Sequence, residues 1–313
     1  MSITTLAEID DLVQADGLDR DALALIVSEA LGEDLGGRGV LPPGTGAGID
    51  VTSYATISPD AVAHGEFIVR GPGTVAGLSV AAYAVGVVCA PAGDFEIVLH
   101  TADGQQVAAN QVLATVTGNA RALLTAERVS LNLLTMMSGV ATATRAWVDV
   151  LAGTGARVRD SRKTSPGLRM LQKYAVRAGG GVNHRMCLAD AALIKDNHVI
   201  AAGGVVPAYL AVRTAFPDLP VQVEVTTRQQ ARDVVAAGAT DILLDNMSAD
   251  QMREIVDELT GAATFEASGG LTLDNATAVA STGVDFIAVG GLTHSAKILD
   301  IGLDLTTKFR AVR

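Results

Sequence analysis

Residues 160–185, DSRKTSPGLRMLQKYAVRAGGGVNHR, hold six Lys or Arg against one acid, Asp160, together with His184. The whole chain has 23 Lys+Arg against 34 Asp+Glu, a formal net charge of −11, so this stretch gathers cations against the overall trend. Arg162, Lys163, His184 and Arg185, joined by Lys195 of LIKDN, suit a pocket for carboxylates and phosphates. Guanidinium groups grip such anions through two parallel hydrogen bonds. Arg169, Lys173 and Arg177 recur every four residues and read instead as one solvated helix face. Three consecutive glycines, 179–181, beside His184 and Arg185 suit backbone brought close to a ligand.

Glu224 and Asp245 each interrupt an apolar run just before a turn, where a charge is costly unless it is paired or holds a metal. Two roles carry equal weight here: salt bridges to the cationic set, or oxygen ligands of a divalent ion such as Mg2+ in a phosphate site. EASGG and VGGLTHS are short glycine loops. There Ser268, Gly269, Gly270, Gly290 and Gly291 would offer backbone N–H groups to a phosphate. Lys195 admits a rival chemistry, a Schiff base with a carbonyl substrate, as in an aldolase-type lyase. A third reading is a phosphate-ligand sensor that binds without turnover. His64, His198 and His294 have no ligand spacing and read as ordinary polar residues.

The elements that must position these groups follow from periodicity. From residue 156 onward the strings ARVRD, AALIK, VQVEV, DILLD, TFEAS and DFIAV recur, with helical stretches such as RQQARDVVAAG and ADQMREIVDEL between most of them. Alternating βα units imply a parallel sheet, wound open or closed into a barrel. A barrel is favoured because the candidate residues fall at or just past the string ends, where barrel sites collect. Spacing by two puts Leu193 with Lys195, Gln222 with Glu224, Leu243 with Asp245, and Glu266 with Ser268 on common faces. The six visible strands are too few for a regular eight-stranded barrel.

Upstream, helix and strand mix. LDRDALALIVSEAL reads as a helix capped by Asp19. GEFIVRG, FEIVLHTADG and QVLATVTG read as strands, with a turn at Asp103-Gly104, and residues 36–49 as a Gly/Pro surface loop. LLTAERVSLNLLTMMSGVATATRAWVDVLAG is a long helical region, interrupted at Ser138-Gly139, that connects two domains.

At 313 residues, 49% hydrophobic but only 4% aromatic, the chain can bury a large core built mainly of Ala, Val, Leu and Ile. A pI near 4.8 argues against nucleic acid as a partner. A cationic cluster inside an acidic envelope points to a small polyanion in a pocket. The uncharged stretch between Arg70 and Asp94 is long enough to suggest a membrane span. Its Gly and Ala content, and Pro91 at its end, favour a buried helix from Leu78 to Val88. The acidic start does not read as a signal peptide, and the expectation is a soluble cytoplasmic protein without a membrane partner. Cys89 and Cys187 have no metal or redox spacing, and each reads as a buried thiol.

The stretch DSRKTSPGLRMLQKYAVRAGGGVNHRMCLADAALIKDNHV resembles the signature region of the quinolinate phosphoribosyltransferase family (nicotinate-nucleotide pyrophosphorylase, carboxylating). The likeness extends to LLTAERVSLNLLTMMSGVATAT, VEVTT, DILLDNM, EASGGLTLDNA and VGGLTHSAKILDIGLDL, and to GEDLG and DVTS near the start. Ser161 and Ser165 stand where the family often has threonine, and residues 36–49 look like an insertion. The resemblance implies a mixed α/β N-terminal domain (1–127, with 296–313 packing back) and an incomplete parallel α/β barrel of fewer than eight strands (128–295). It implies decarboxylating transfer from phosphoribosyl pyrophosphate to quinolinate, giving nicotinate mononucleotide, pyrophosphate and CO2 with Mg2+. It also implies a homodimer with shared active sites. Carried over, Arg162, Lys163, His184, Arg185 and Lys195 bind quinolinate, with Arg128 supplied by the partner subunit. Glu224 and Asp245 face the ribose and Mg2+, and Ser268, Gly269, Gly270, Gly290 and Gly291 hold the 5′-phosphate. Lys163, Lys195, Glu224 and Asp245 are the expected catalytic set.

Overall fold

The computed structural model describes residues 1–37 and 48–306, so most of the expected insertion loop, 38–47, lies outside the described residues. The chain begins with β1 (Ser2–Ile3), α1 (Leu6–Ala15), α2 (Arg20–Asp34), α3 (Val51–Thr56), β2 (Val62–Val69), β3 (Gly73–Thr74) and α4 (Leu78–Cys89). Next come β4 (Glu96–Leu99), β5 (Gln106–Val107), β6 (Val112–Asn119), α5 (Ala120–Val150), β7 (Arg157–Arg159) and α6 (Arg169–Ala178). Then βα units follow: β8 (Ala192–Ile194), α7 (Asp196–Ala202), α8 (Val205–Ala215), β9 (Val221–Val225), α9 (Arg228–Ala236), β10 (Asp241–Asp245) and α10 (Ala249–Leu259). The last elements are β11 (Thr264–Ser268), α11 (Leu273–Ala280), β12 (Phe286–Ala288), α12 (Gly291–His294) and β13 (Ile301–Thr306).

Two compact units result: residues 1–142, 166–179 and 296–313, and residues 143–165 with 180–295. This division differs from the sequence expectation of a boundary at 127/128, and the reason is local bonding. α5 runs unbroken through Ser138-Gly139, and its residues bond back into the first unit. Ser138 Oγ donates to Ala76 O at 3.2 Å, and Thr142 Oγ1 accepts from Thr74 N at 2.8 Å. The expected interruption is absent because Gly139 serves packing rather than a break. A Cβ there would lie 2.8 Å from Ile298 Cα.

In the first unit an antiparallel sheet runs in the order β1-β4-β6-β2-β13. The expected cap is present, with Asp19 accepting from Ala22 N at 2.8 Å. α4 is buried along nearly its whole length, as an all-apolar helix must be. Its N-terminal cap comes from a distant residue: Asp103 accepts from Gly77 N at 2.6 Å and Leu78 N at 3.1 Å. Tyr174 of α6 donates to the same carboxylate at 2.7 Å. α6 is enclosed from Leu171 to Val176, so Lys173 is fully buried rather than part of a solvated face, while Arg177 is exposed. Among the described residues no single helix is long and apolar enough to cross a membrane.

The second unit is the α/β barrel, with six parallel strands in the order β7-β12-β11-β10-β9-β8. It is incomplete because β7 and β8 are not paired with each other. Beside β7, Val182 makes a parallel bridge to Arg159 and carries the chain into Asn183, His184 and Arg185. β9, VQVEV, is buried at every position, as expected of a parallel strand covered on both faces. Thr227, Ser248 and Thr272 cap the helices that follow β9, β10 and β11, so each βα turn is short and its geometry set.

Candidate active site

Glu224 lies one residue before the end of β9, and Lys195 immediately follows β8. The pairing Leu193↔Gln222 brings these two to the same level on adjacent strands. Lys195 Nζ donates to Glu224 Oε2 at 2.6 Å, with the carboxylate buried and the ammonium half exposed. Of the two roles open to the acids, the salt bridge is therefore realised for Glu224. Asp245 ends β10 opposite Ser268, the last residue of β11. Its Oδ2 accepts from Asn246 Nδ2 at 2.7 Å, and Asn246 N donates to Ser268 O at 2.9 Å. Asn246 adopts φ 52°, a left-handed conformation that its side chain tolerates. Gly269, at φ +90°, packs against the Asn246 amide so tightly that any Cβ would overlap it. Here glycine is required both by the backbone and by the neighbour.

Below that level lies a layer of polar side chains. Gln222 Nε2 donates to Asp241 Oδ1 at 2.9 Å and to Glu266 Oε2 at 3.0 Å. Arg159 donates to the same Glu266 oxygen at 2.6 Å and stacks its guanidinium 3.5 Å from the Phe286 ring centroid. Burial, reinforced by the nearby Glu266 charge, raises the pKa of Asp241 despite its bond from Gln222. With its amide nitrogen committed to two carboxylates, Gln222 turns Oε1 to His184 Nε2 at 2.8 Å. His184 Nδ1 accepts the backbone N–H of Arg185 at 2.7 Å. The imidazole proton thus sits on Nε2, and both ring nitrogens are engaged within the protein. His184 thus fastens the 184–185 backbone through its ring while also lining the cavity beside Arg185.

Of the remaining cations, Arg185 is near enough to Arg162 to feel its charge. Arg185 donates from NH1 to Ala191 O at 2.8 Å. Burial first, and then the neighbouring Arg162, push its pKa below the ordinary guanidinium value. Arg162 keeps a buried Nε that has no hydrogen-bond partner in the protein. Neighbouring guanidinium groups with an unused donor have the chemistry to take an anion. A cavity of about 190 Å³ opens beside His184 and Arg185, lined also by Arg159, Gln222 and Asp241. Lys163 lies over Gly290, where a Cβ would come within 3.0 Å of Lys163 Cδ. Its carbonyl accepts from Thr293 Oγ1 at 2.6 Å, which fastens this loop to α12. Gly270 and Gly291 leave open space where a side chain would stand. Arg128 is exposed on α5, in the first unit.

Several contributors went unselected in the sequence: Arg159, Asp160, Gln222, Asp241 and Glu266. The signal was present for two of them. Gln222 and Glu266 sit two residues before Glu224 and Ser268, on the same strand faces. For the metal, no group of three or more His, Cys, Asp or Glu among the described residues is arranged to hold an ion. Glu224 and Asp245 are oxygen donors of the type Mg2+ prefers. They fit only an ion whose other ligands are substrate phosphates and water.

Residues 140–304 match the quinolinate phosphoribosyl transferase C-terminal domain, and residues 50–138 match the N-terminal domain of the same family. The chain is 49% identical over 261 residues to a nicotinate-nucleotide pyrophosphorylase [carboxylating] of Mycobacterium leprae, covering 82% of this chain and 92% of that one. The chain belongs to the quinolinate phosphoribosyltransferase family. A probable nicotinate-nucleotide pyrophosphorylase [carboxylating] of Bacillus subtilis is 45% identical, over 69% of this chain and 75% of its own length. Among solved structures, the nicotinate-nucleotide pyrophosphorylase from Francisella tularensis superposes with a TM-score of 0.83 at 34% identity. That match covers 92% of this chain and 98% of the other.

Proposed function

We propose that this chain transfers the phosphoribosyl group of phosphoribosyl pyrophosphate to quinolinate, releasing pyrophosphate and CO2 and forming nicotinate mononucleotide for NAD biosynthesis. The observation that carries the reading is the Lys195–Glu224 ion pair at neighbouring strand ends, with Arg185 close enough to Arg162 to feel its charge. Both substrates are anions, and an acidic protein concentrates positive charge only where they bind.

Arg162 and Arg185, with Lys163 and Lys195, hold the two carboxylates of quinolinate and aim its ring nitrogen at the ribose. The nitrogen lone pair forms the bond to C1 as the C1–O bond to pyrophosphate breaks. Glu224 and Asp245 place negative charge beside the ribose as positive charge develops there. The product ring is a pyridinium. Its positive nitrogen stabilises the electron pair left when the adjacent C–CO2 bond breaks, and a proton then takes that position. Ser268, Gly269, Gly270, Gly290 and Gly291 receive the 5′-phosphate through backbone N–H groups. Glu224 and Asp245 would hold a Mg2+ that arrives with the pyrophosphate, and that ion would supply charge neutralisation on the leaving group. The enzyme acts in the cytoplasm as a homodimer in which Arg128 of the partner subunit completes each quinolinate pocket. Lys195 Nζ is engaged by the Glu224 carboxylate, whereas a Schiff base needs that nitrogen free to attack a carbonyl.

Turnover of quinolinate and phosphoribosyl pyrophosphate with Mg2+ tests the reading, with pyrophosphate and CO2 followed together. Equal release of both is expected. Substrate trapped on Lys195 by borohydride, or binding without turnover, would overturn it.

A further inference from the structure

We propose that Asp160 is the positioning residue that holds the two guanidinium-bearing segments of the quinolinate pocket in register. This rests on the functional reading above. Asp160 is the sole acid of the cationic stretch 160–185 and is fully buried. A buried carboxylate is costly unless strong donors surround it, and two of its donors come from the same short segment. Oδ1 accepts from His184 N at 2.8 Å, and Oδ2 accepts from Asn183 Nδ2 at 2.6 Å.

The backbone reinforces this tie: Val182 N donates to Val158 O at 2.9 Å, and Asp160 N donates to Val182 O at 3.2 Å. Arg162 stands two residues beyond Asp160, and Arg185 one residue beyond His184. One carboxylate therefore anchors both segments, whose like-charged ends repel each other. His184 completes the fastening through Gln222 on β9. The groups assigned to the ribose and phosphate are held by different bonds, namely Lys195 to Glu224 and Asn246 to Ser268. Loosening Asp160 should thus weaken the grip on quinolinate and spare phosphoribosyl pyrophosphate.

The test is steady-state kinetics of the full chain with each substrate varied in turn. Asp160→Asn should raise the KM for quinolinate about tenfold or more, the scale of a lost hydrogen bond to a charged group. The KM for phosphoribosyl pyrophosphate should stay within about threefold, well under that scale. Asn183→Asp, which sets two carboxylates face to face, should produce the same split. The double variant restores a carboxylate–amide contact with the roles exchanged, so its quinolinate KM should return most of the way to wild type. Should Asp160→Asn fail to fold, the comparison of Asn183→Asp with the double variant decides. No relief in the double variant, or KM values for both substrates rising together, overturns the positioning role. A wild-type protein that does not turn over quinolinate overturns the functional reading and this inference with it.

Discussion

Lys195 Nζ meets Glu224 Oε2 at 2.6 Å, while Asp245, ending the adjacent strand, accepts from Asn246 instead. Because the Lys195 side chain is half exposed, solvent screens this ion pair and little of its value is stability. On the proposed mechanism its value is the placement of a carboxylate beside the ribose. Glu224→Gln and Asp245→Asn should therefore lower kcat by about 10²-fold or more, the scale of losing one group that stabilises transition-state charge. Quinolinate affinity should change far less. Comparable losses of affinity at unchanged kcat would contradict this assignment.

The Arg162–Arg185 pair bears on which pyridine acid is used. Quinolinate carries two carboxylates and nicotinate one, so nicotinate would leave a half-buried cation unpaired. Discrimination in kcat/KM of roughly 10⁴-fold or more is expected from such a site. Arg185→Lys loses the planar fork and should mainly impair use of quinolinate. Measuring kcat/KM for both acids with saturating phosphoribosyl pyrophosphate checks this, and values within about tenfold of each other would sink a two-carboxylate pocket.

The proposed sharing of the site through Arg128 of the partner subunit predicts complementation. Arg128→Ala and Lys195→Ala proteins should each be inactive as pure preparations. Co-refolded into mixed dimers, they should regain part of the activity, because some sites then combine an intact Arg128 with an intact Lys195. No recovery in proven mixed dimers would place both residues in one subunit's site.

The cysteines offer a check on packing. Cys187, expected to be buried, is exposed in the loop between His184 and β8, whereas Cys89 is buried at the end of α4. Burial pushes the Cys89 thiol pKa up to about 12, so almost none of it is thiolate at pH 8. A thiol-reactive chromophore at pH 8 should label Cys187 alone in the native protein, and both residues after unfolding. Labelling of Cys89 at a comparable rate without denaturant would refute the packing of α4.

Much of the fold was legible in the chain. Six β-rich strings with helical spacers became the six parallel strands, because buried parallel strands and capped amphipathic helices each have a distinct period. Lys195, Glu224, Asp245, Ser268 and the glycine turns were legible for a related reason: a charge or a pair of glycines at the end of an apolar run conflicts with the pattern around it. The sequence therefore determined the barrel class, the anion chemistry and most of the residues at the strand ends. Tertiary structure alone decided the partners. It buried Lys173 among neighbours that its four-residue spacing does not reveal. It kept α5 continuous through Gly139, because distant backbone at residues 297–298 fills the space. It also linked Arg159, Gln222 and Glu266 across separate strands and tied His184 to them through Gln222. Local pattern records which face a side chain occupies. What that face meets depends on strand order and register, which are settled only when the strands assemble into the sheet.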